Sequence, residues 1–128
     1  MSYYFNKTLD VSFDEAIERV TESLKEEGFG ILTEIDVKAT FKKKLDVDFK
    51  NYRILGACNP NFAHKAISAE DKIGVFLPCN VIVEENEDGT IDVSAVDPIA
   101  SMSSVKNPDL GDIASDVQSK LKKVIDVL

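Results

Sequence analysis

A hairpin signal in the second half of the chain constrains the fold more strongly than any other feature. Two apolar, strand-like runs, residues 81–83 and 91–96, flank a polar turn at residues 85–89 that ends in Asp88-Gly89. An Asp-Gly pair between such runs is typical of a tight turn, because glycine accepts the positive φ that the turn requires. The sequence therefore predicts a sheet that contains at least one antiparallel pair of strands.

Helical patterns lie at both ends of the chain. Ser12 and Glu15 form a capping box before an apolar face of helical spacing, and Gly28 ends the segment. A second amphipathic helix is predicted to begin near Asp109 or Asp112 and to run to the end of the sequence. Between them, the patterns predict strands at residues 30–37 and 49–58, a short helix at 39–45, a helix from residue 60 and a short strand at 73–77, after an entry strand at 3–11.

Together these elements predict an α+β fold in one domain, residues 1–128. We expect a mixed sheet that contains the antiparallel hairpin, with the helices packed mainly on one face. The order of the strands in that sheet does not follow from the sequence.

Charge and composition limit the classes of partner that the protein is expected to bind. The chain of 128 residues carries 15 Lys and Arg against 23 Asp and Glu, a net charge of −8. An acidic surface repels phosphate groups, so we expect no nucleic-acid partner and no docking on anionic membranes. No apolar run approaches the ~18–20 residues that cross a bilayer, and the first residues lack a secretory pattern. These observations predict a cytoplasmic protein with reduced cysteines.

Two similar segments are the most unusual feature. Cys58-Asn59-Pro60 and Pro78-Cys79-Asn80 each place a Cys-Asn pair beside a proline at a predicted strand end. Ligands commonly bind at strand ends in open sheets. The sequence therefore predicts a cleft for a small ligand, and its proposed lining is Cys58, Asn59, Phe62, Leu77, Cys79, Asn80 and Met102.

Other interpretations of the two cysteines stay open. They could form a thiol-redox pair, or a weak metal site together with His64, which lies six residues after Cys58. They could also be buried packing residues, or line a surface at which subunits or partners meet. His64 is the only histidine, and no constellation of residues makes a convincing case for catalysis. The sequence names no cofactor.

Three segments carry a family resemblance: LGACNPNFA at residues 55–63, GVFLPCNV at 74–81, and Asp97-Pro98. They resemble the bacterial and archaeal family called domain of unknown function 302, and the resemblance extends over nearly the whole chain. It implies a compact α+β fold, a homodimer, and a shared site at the edge where Cys58-Asn59-Pro60 and Pro78-Cys79 lie. It implies no catalytic residues.

Overall fold

Five strands form one sheet in the order β1-β5-β4-β3-β2, and every neighbouring pair is antiparallel. The structure is a computed structural model that describes residues 2–128. The strands are β1 (Tyr4–Leu9), β2 (Gly30–Asp36), β3 (Tyr52–Cys58), β4 (Cys79–Glu85) and β5 (Ile91–Val96). The predicted hairpin is confirmed as β4 and β5, and Gly89 in its turn has a φ of 88°.

Five α-helices and one 3-10 helix complete the described chain. They are α1 (Phe13–Glu26), α2 (Val37–Leu45), α3 (Pro60–Ala69), the 3-10 helix Asp71–Phe76, α4 (Pro98–Ser101) and α5 (Asp109–Asp126). Within residues 2–128, none of these helices combines the length and the apolar character that crossing a bilayer requires.

Local signals explain where the helices begin. The Ser12 hydroxyl accepts a hydrogen bond from the Glu15 backbone N–H at 3.1 Å, as the capping pattern predicts. Pro60 begins α3 directly after Asn59, since a proline at the first turn removes only an N–H that would have no helical partner. The last long helix begins at Asp109, one of the two starts predicted; there the side chain of Asn107 accepts from the Asp109 N–H at 3.0 Å.

The core lies between one face of the sheet and the long helices. Alternate residues of the strands, among them Leu55, Val81, Val83, Val93 and Ala95, are fully buried against α1 and α5. Within residues 2–128 no long helix covers the other face of the sheet, and the intervening strand residues point to that face. This arrangement confirms the predicted α+β class and the packing of the long helices on one face of the sheet.

Two details differ from the sequence predictions. The sheet is antiparallel throughout rather than mixed, because β1 and β2 run in the same direction but lie at opposite edges. Residues 73–77 form the end of the 3-10 helix and its exit instead of a strand. Of that apolar run only Ile73 is fully buried, while Val75 is 82 % exposed. The five strands of the sheet do not include this run, so it makes no strand pairing.

Polar contacts at the helix ends hold α1 and α5 together. The Ser23 hydroxyl of α1 donates to the Val124 carbonyl of α5 at 2.8 Å. Glu27, just beyond α1, lies 3.8 Å from the Lys120 ammonium and 3.5 Å from that of Lys123. The two long helices thus form one layer over the sheet, and this layer supplies a wall of the site described below.

Substitution of Gly56 tests the close approach of β2, β3 and the segment before β4. A Cβ at Gly56 would collide with the Thr33 hydroxyl and stand 2.8 Å from Pro78 Cγ. We expect Gly56→Ala to destabilise the fold by roughly 1–3 kcal/mol, the usual cost of overpacking. Urea unfolding measures this change. Gly74→Ala is the control, because a Cβ there meets no atom within 4 Å; equal losses in both variants would contradict the prediction.

Candidate functional site

A small apolar cavity lies between α3, α5 and the end of the sheet where β3 finishes and β4 begins. Its volume is about 50 Å³. We call it the thiol cavity. It is bordered by residues of the strand ends, of both helices and of the segment after α4: Phe29, Ala57, Cys58, Asn59, Phe62, Ala63, Ala66, Leu77, Pro78, Cys79, Pro98, Met102, Leu110, Ile113, Ala114 and Val117.

The pairing of β3 with β4 brings the two cysteines to this cavity. Ala57 lies directly opposite Cys79 in the antiparallel register, so Cys58 is the next residue along β3, where the strand ends. Both thiols are free, and both border the cavity. The sequence left their proximity open, and the strand order decides it.

Burial makes Cys79 a poor source of thiolate. The residue is 7 % exposed, and this burial, together with the nearby Cys58, raises the pKa of the Cys79 thiol from 9.0 to about 11. A low-dielectric surrounding disfavours the charged form, which is the form that acts as nucleophile or metal ligand. At neutral pH the Cys79 side chain therefore presents a neutral, polarisable sulfur atom.

Asn59 borders the cavity, but the fold uses its polar atoms. Its Oδ1 accepts from the Phe62 N–H at 3.5 Å and caps α3, while its Nδ2 donates to the Glu27 carbonyl at 3.4 Å. A Cβ at Gly28 would lie 2.9 Å from the same Nδ2, and the φ of Gly28 is 84°. Asn59 therefore joins the end of α1 to the start of α3, and its amide adds little polarity to the cavity.

Met102 reaches the cavity because Asp97 positions the segment after β5. One carboxylate oxygen of Asp97 accepts from the N–H groups of Ile99 at 3.0 Å and of Ala100 at 3.4 Å, which caps α4. The amide of Gln118 on α5 donates to both carboxylate oxygens, at 3.0 and 3.2 Å. This contact fixes α4 against α5, and the Met102 side chain closes one side of the cavity.

Two residues of the predicted site lie elsewhere. Asn80 is exposed on the opposite face of the sheet, because adjacent residues of a strand point to opposite faces and Cys79 points to the core. His64 is exposed on α3 and does not border the cavity. Between residues 2 and 128, no three His, Cys, Asp or Glu side chains are grouped as a metal site, so the predicted Cys58, His64 and Cys79 set is not assembled.

The sequence prediction missed the contribution of α5 and the small residues of α3. Ala63 and Ala66 on α3 face Ala114 and Val117 on α5 across the cavity. Alanine on a buried helix face leaves space that a larger side chain would fill, and its spacing of three residues in α3 was the available signal. Only the packing of α3 near α5 shows that this space is shared.

A groove adjoins the thiol cavity on the side of α4. It has a volume of about 320 Å³ and shares Met102, Leu110 and Ala114 with the cavity as common walls. We call it the side groove; its other walls are Ile99, Ser103, Val105, Asn107 and Gly111. Of the shared residues, the unbranched Met102 has the most conformational freedom, with three rotatable side-chain bonds.

The raised pKa of Cys79 predicts a pH dependence of stability. A thiol whose pKa is higher in the folded state contributes stability below its unfolded pKa and loses it as pH rises through the folded value. Between pH 9 and pH 11 we expect the free energy of unfolding to fall by up to about 3 kcal/mol more in the wild type than in Cys79→Ala. Urea unfolding across this interval is the measurement. Val81→Ala, a truncation in the same strand without a titrating group, should retain the wild-type slope, and identical slopes in wild type and Cys79→Ala would contradict the assignment.

Comparison with known proteins places these features in a family. The family model described as "Domain of unknown function DUF302" matches residues 5–128. Among curated proteins, none matches this sequence. A crystal structure of an uncharacterized conserved DUF302 protein from Bacillus stearothermophilus is similar, with a TM-score of 0.91 and 31 % sequence identity over 98 % of each chain. Fold and sequence agree over almost the full length, and the chain therefore belongs to the DUF302 family.

Proposed function

We propose that this protein binds a small amphipathic molecule, with the apolar end of the ligand in the thiol cavity. The observation that carries the proposal is the composition of the cavity wall. Nearly all of it consists of carbon and sulfur atoms, and the amide of Asn59 is engaged in the fold. An apolar space of this kind offers ordered water few hydrogen-bond partners and favours an apolar guest.

The volumes limit the size of the ligand. At about 50 Å³ the cavity holds a short alkyl or compact ring group, well below the ~300–1,000 Å³ of typical ligand pockets. The side groove adds about 320 Å³ of more open space. A ligand that spans both spaces would place its apolar end against Cys58 and Cys79 and its polar part near Ser103, and Met102 would move aside to admit it.

A thiol-redox or metal-thiolate function is the alternative that the two cysteines suggest. Its support is that Cys58, Cys79 and the Met102 thioether border one cavity, since soft metals prefer sulfur ligands. Against it stand the raised pKa of Cys79 and the exposed position of His64, which does not border the cavity. We favour the apolar ligand, because it requires no thiolate.

We further propose that the protein forms a homodimer, as the family resemblance implied, through the edge strand β2 and the segment that follows it. Four exposed apolar side chains lie in this part of the chain: Leu32, Ile35, Leu45 and Val47. An edge strand also leaves backbone groups unpaired and able to bind another chain. A purely structural role as a partner-binding dimer would use the same surface. Cytoplasmic location and the lack of a nucleic-acid partner remain predictions from the sequence.

Filling the cavity tests the ligand proposal. We expect native mass spectrometry of unheated, gently purified protein to show a retained mass that denaturation releases. Ala114→Leu should abolish this mass because the added carbons occupy the space that the ligand needs. Circular dichroism should show an unchanged fold, and Cys58→Ser should also retain the fold while weakening retention.

The matched control is Ala39→Leu, the same substitution at an exposed position of α2. It should retain the wild-type mass. A wild type that carries no extra mass and produces no shift in xenon NMR would contradict the proposal, since xenon enters empty apolar cavities without any specific chemistry.

Light scattering after gel filtration tests the dimer. We expect the wild type to elute with the mass of two chains and Leu32→Lys with the mass of one, because Leu32 is 68 % exposed on the edge strand and lysine opposes strand pairing. Val75→Lys is the control, since Val75 is an exposed apolar residue of the 3-10 helix. A wild type that remains a monomer at high concentration would refute the dimer, and a dimeric Leu32→Lys would refute this surface.

A further inference from the structure

A second concave site lies on the opposite face of the sheet from the thiol cavity. It has a volume of about 370 Å³, within the usual range for small-molecule pockets. We call it the tyrosine pocket. Aromatic and acidic side chains line much of it: the rings of Tyr3, Tyr4 and Tyr52 and the carboxylates of Glu84 and Asp92, together with the hydroxyl of Ser94.

The pocket collects every tyrosine of the chain, which has three and no tryptophan. Tyr3 and Tyr4 meet edge to face with ring centres 5.0 Å apart at β1. Tyr52 lies on β3, and the strands β5 and β4 lie between it and β1. Burial and the neighbouring Glu84 raise the pKa of Tyr52, so its ring stays neutral and keeps an electron-rich face. Aromatic faces on two sides attract cations.

Two carboxylates lie side by side in the same pocket. Glu84 of β4 is directly opposite Asp92 of β5 in the antiparallel register. Like charges directly opposite each other destabilise a sheet. The Thr8 hydroxyl donates to Asp92 at 2.6 Å, and the Lys50 ammonium lies 2.6 Å from Glu84. Asp92 forms no ion pair within the described residues 2–128, so two negative charges here face one intrachain cation.

Lys50 shows how an ammonium group binds at the rim of the pocket. Its ammonium contacts the Glu84 carboxylate and lies 6.0 Å from the centre of the Tyr52 ring. The hydrogen bond to Glu84 is the largest of the effects that raise the pKa of Lys50. An alkylammonium group thus already rests between a carboxylate and an aromatic ring at the rim. Asp92 also acts on this ammonium, as the weakest of the charges that raise its pKa, but within residues 2–128 it forms no ion pair of its own.

From this arrangement we infer that the tyrosine pocket binds a small organic cation, an alkylammonium compound with an apolar body. The cation would lie near Asp92, between the aromatic walls, and the polar floor, where Asn6 donates to Ser94 at 2.8 Å, would face any hydroxyl group of the ligand. The charge of the pocket favours this occupant over a second copy of the chain. A two-fold contact with its axis at this pocket would bring Glu84 and Asp92 of both copies together.

Choline and its uncharged carbon isostere, dimethylbutanol, are the probes for this inference. Tyrosine fluorescence and chemical-shift titration of the full-length protein report the site directly, since all tyrosines border it. We expect saturable shifts at Tyr52 and Asp92 with choline, and binding at least about tenfold weaker with the isostere, because only the charged ligand gains the cation–π and carboxylate contacts.

Asp92→Asn should weaken choline binding about tenfold while it raises the urea midpoint, because it retains an acceptor for Thr8 and removes the repulsion from Glu84. Asp71→Asn is the control, with the same change in net charge at an exposed residue outside the pocket. Equal binding of choline and its isostere, no binding of either, or equal effects of the two substitutions would overturn the inference. Tyrosine signals that depend on protein concentration and not on choline would instead assign this face to a second copy, and would overturn it too.

Discussion

The antiparallel pairing of β3 with β4 is the constraint on which both candidate sites depend. Its register sets Ala57 opposite Cys79, which brings Cys58 and Cys79 to one end of the sheet. The same register sets Tyr52 opposite Glu84 at the other end of the pair. A shift of one residue would exchange the two faces, so that Cys79 would leave the core and Glu84 would enter it. The burial of Val81 and Val83 makes such a shift very unfavourable.

Strand alternation divides the chemistry of the molecule between two faces. Toward α3 and α5 the strand ends contribute sulfur and small apolar groups, and the result is an apolar cavity in which a thiol stays neutral. Toward the helix-free side the strands contribute hydroxyl, carboxylate and phenol groups around an open pocket. Asn80 shows how sharp this division is, because it follows Cys79 directly in sequence and yet belongs to the tyrosine pocket. The two sites therefore suit ligands of different polarity.

Local signals made much of the fold predictable. Ser12, Pro60 and Asp88-Gly89 act through neighbours in sequence, so the helix starts and the hairpin could be predicted at those residues. Residues 73–77 were predicted wrongly as a strand, because an apolar run does not reveal whether another strand lies within hydrogen-bond reach. Six of the seven residues predicted to line the ligand site do border the thiol cavity. Asn80 was misplaced because adjacency in sequence was taken for adjacency in space.

By itself the sequence determined most of the element types, the antiparallel hairpin, the net negative charge and the two Cys-Asn-proline segments, since each depends on residues within a few positions of one another or on composition alone. Only the tertiary structure decided that Cys58 and Cys79 share a cavity, that Ala114 and Val117 of α5 enclose it, and that Tyr4 and Tyr52 border one pocket. These facts depend on strand order and on the approach of α3 to α5. Both result from the joint burial of residues distant in sequence, and no local pattern encodes that burial.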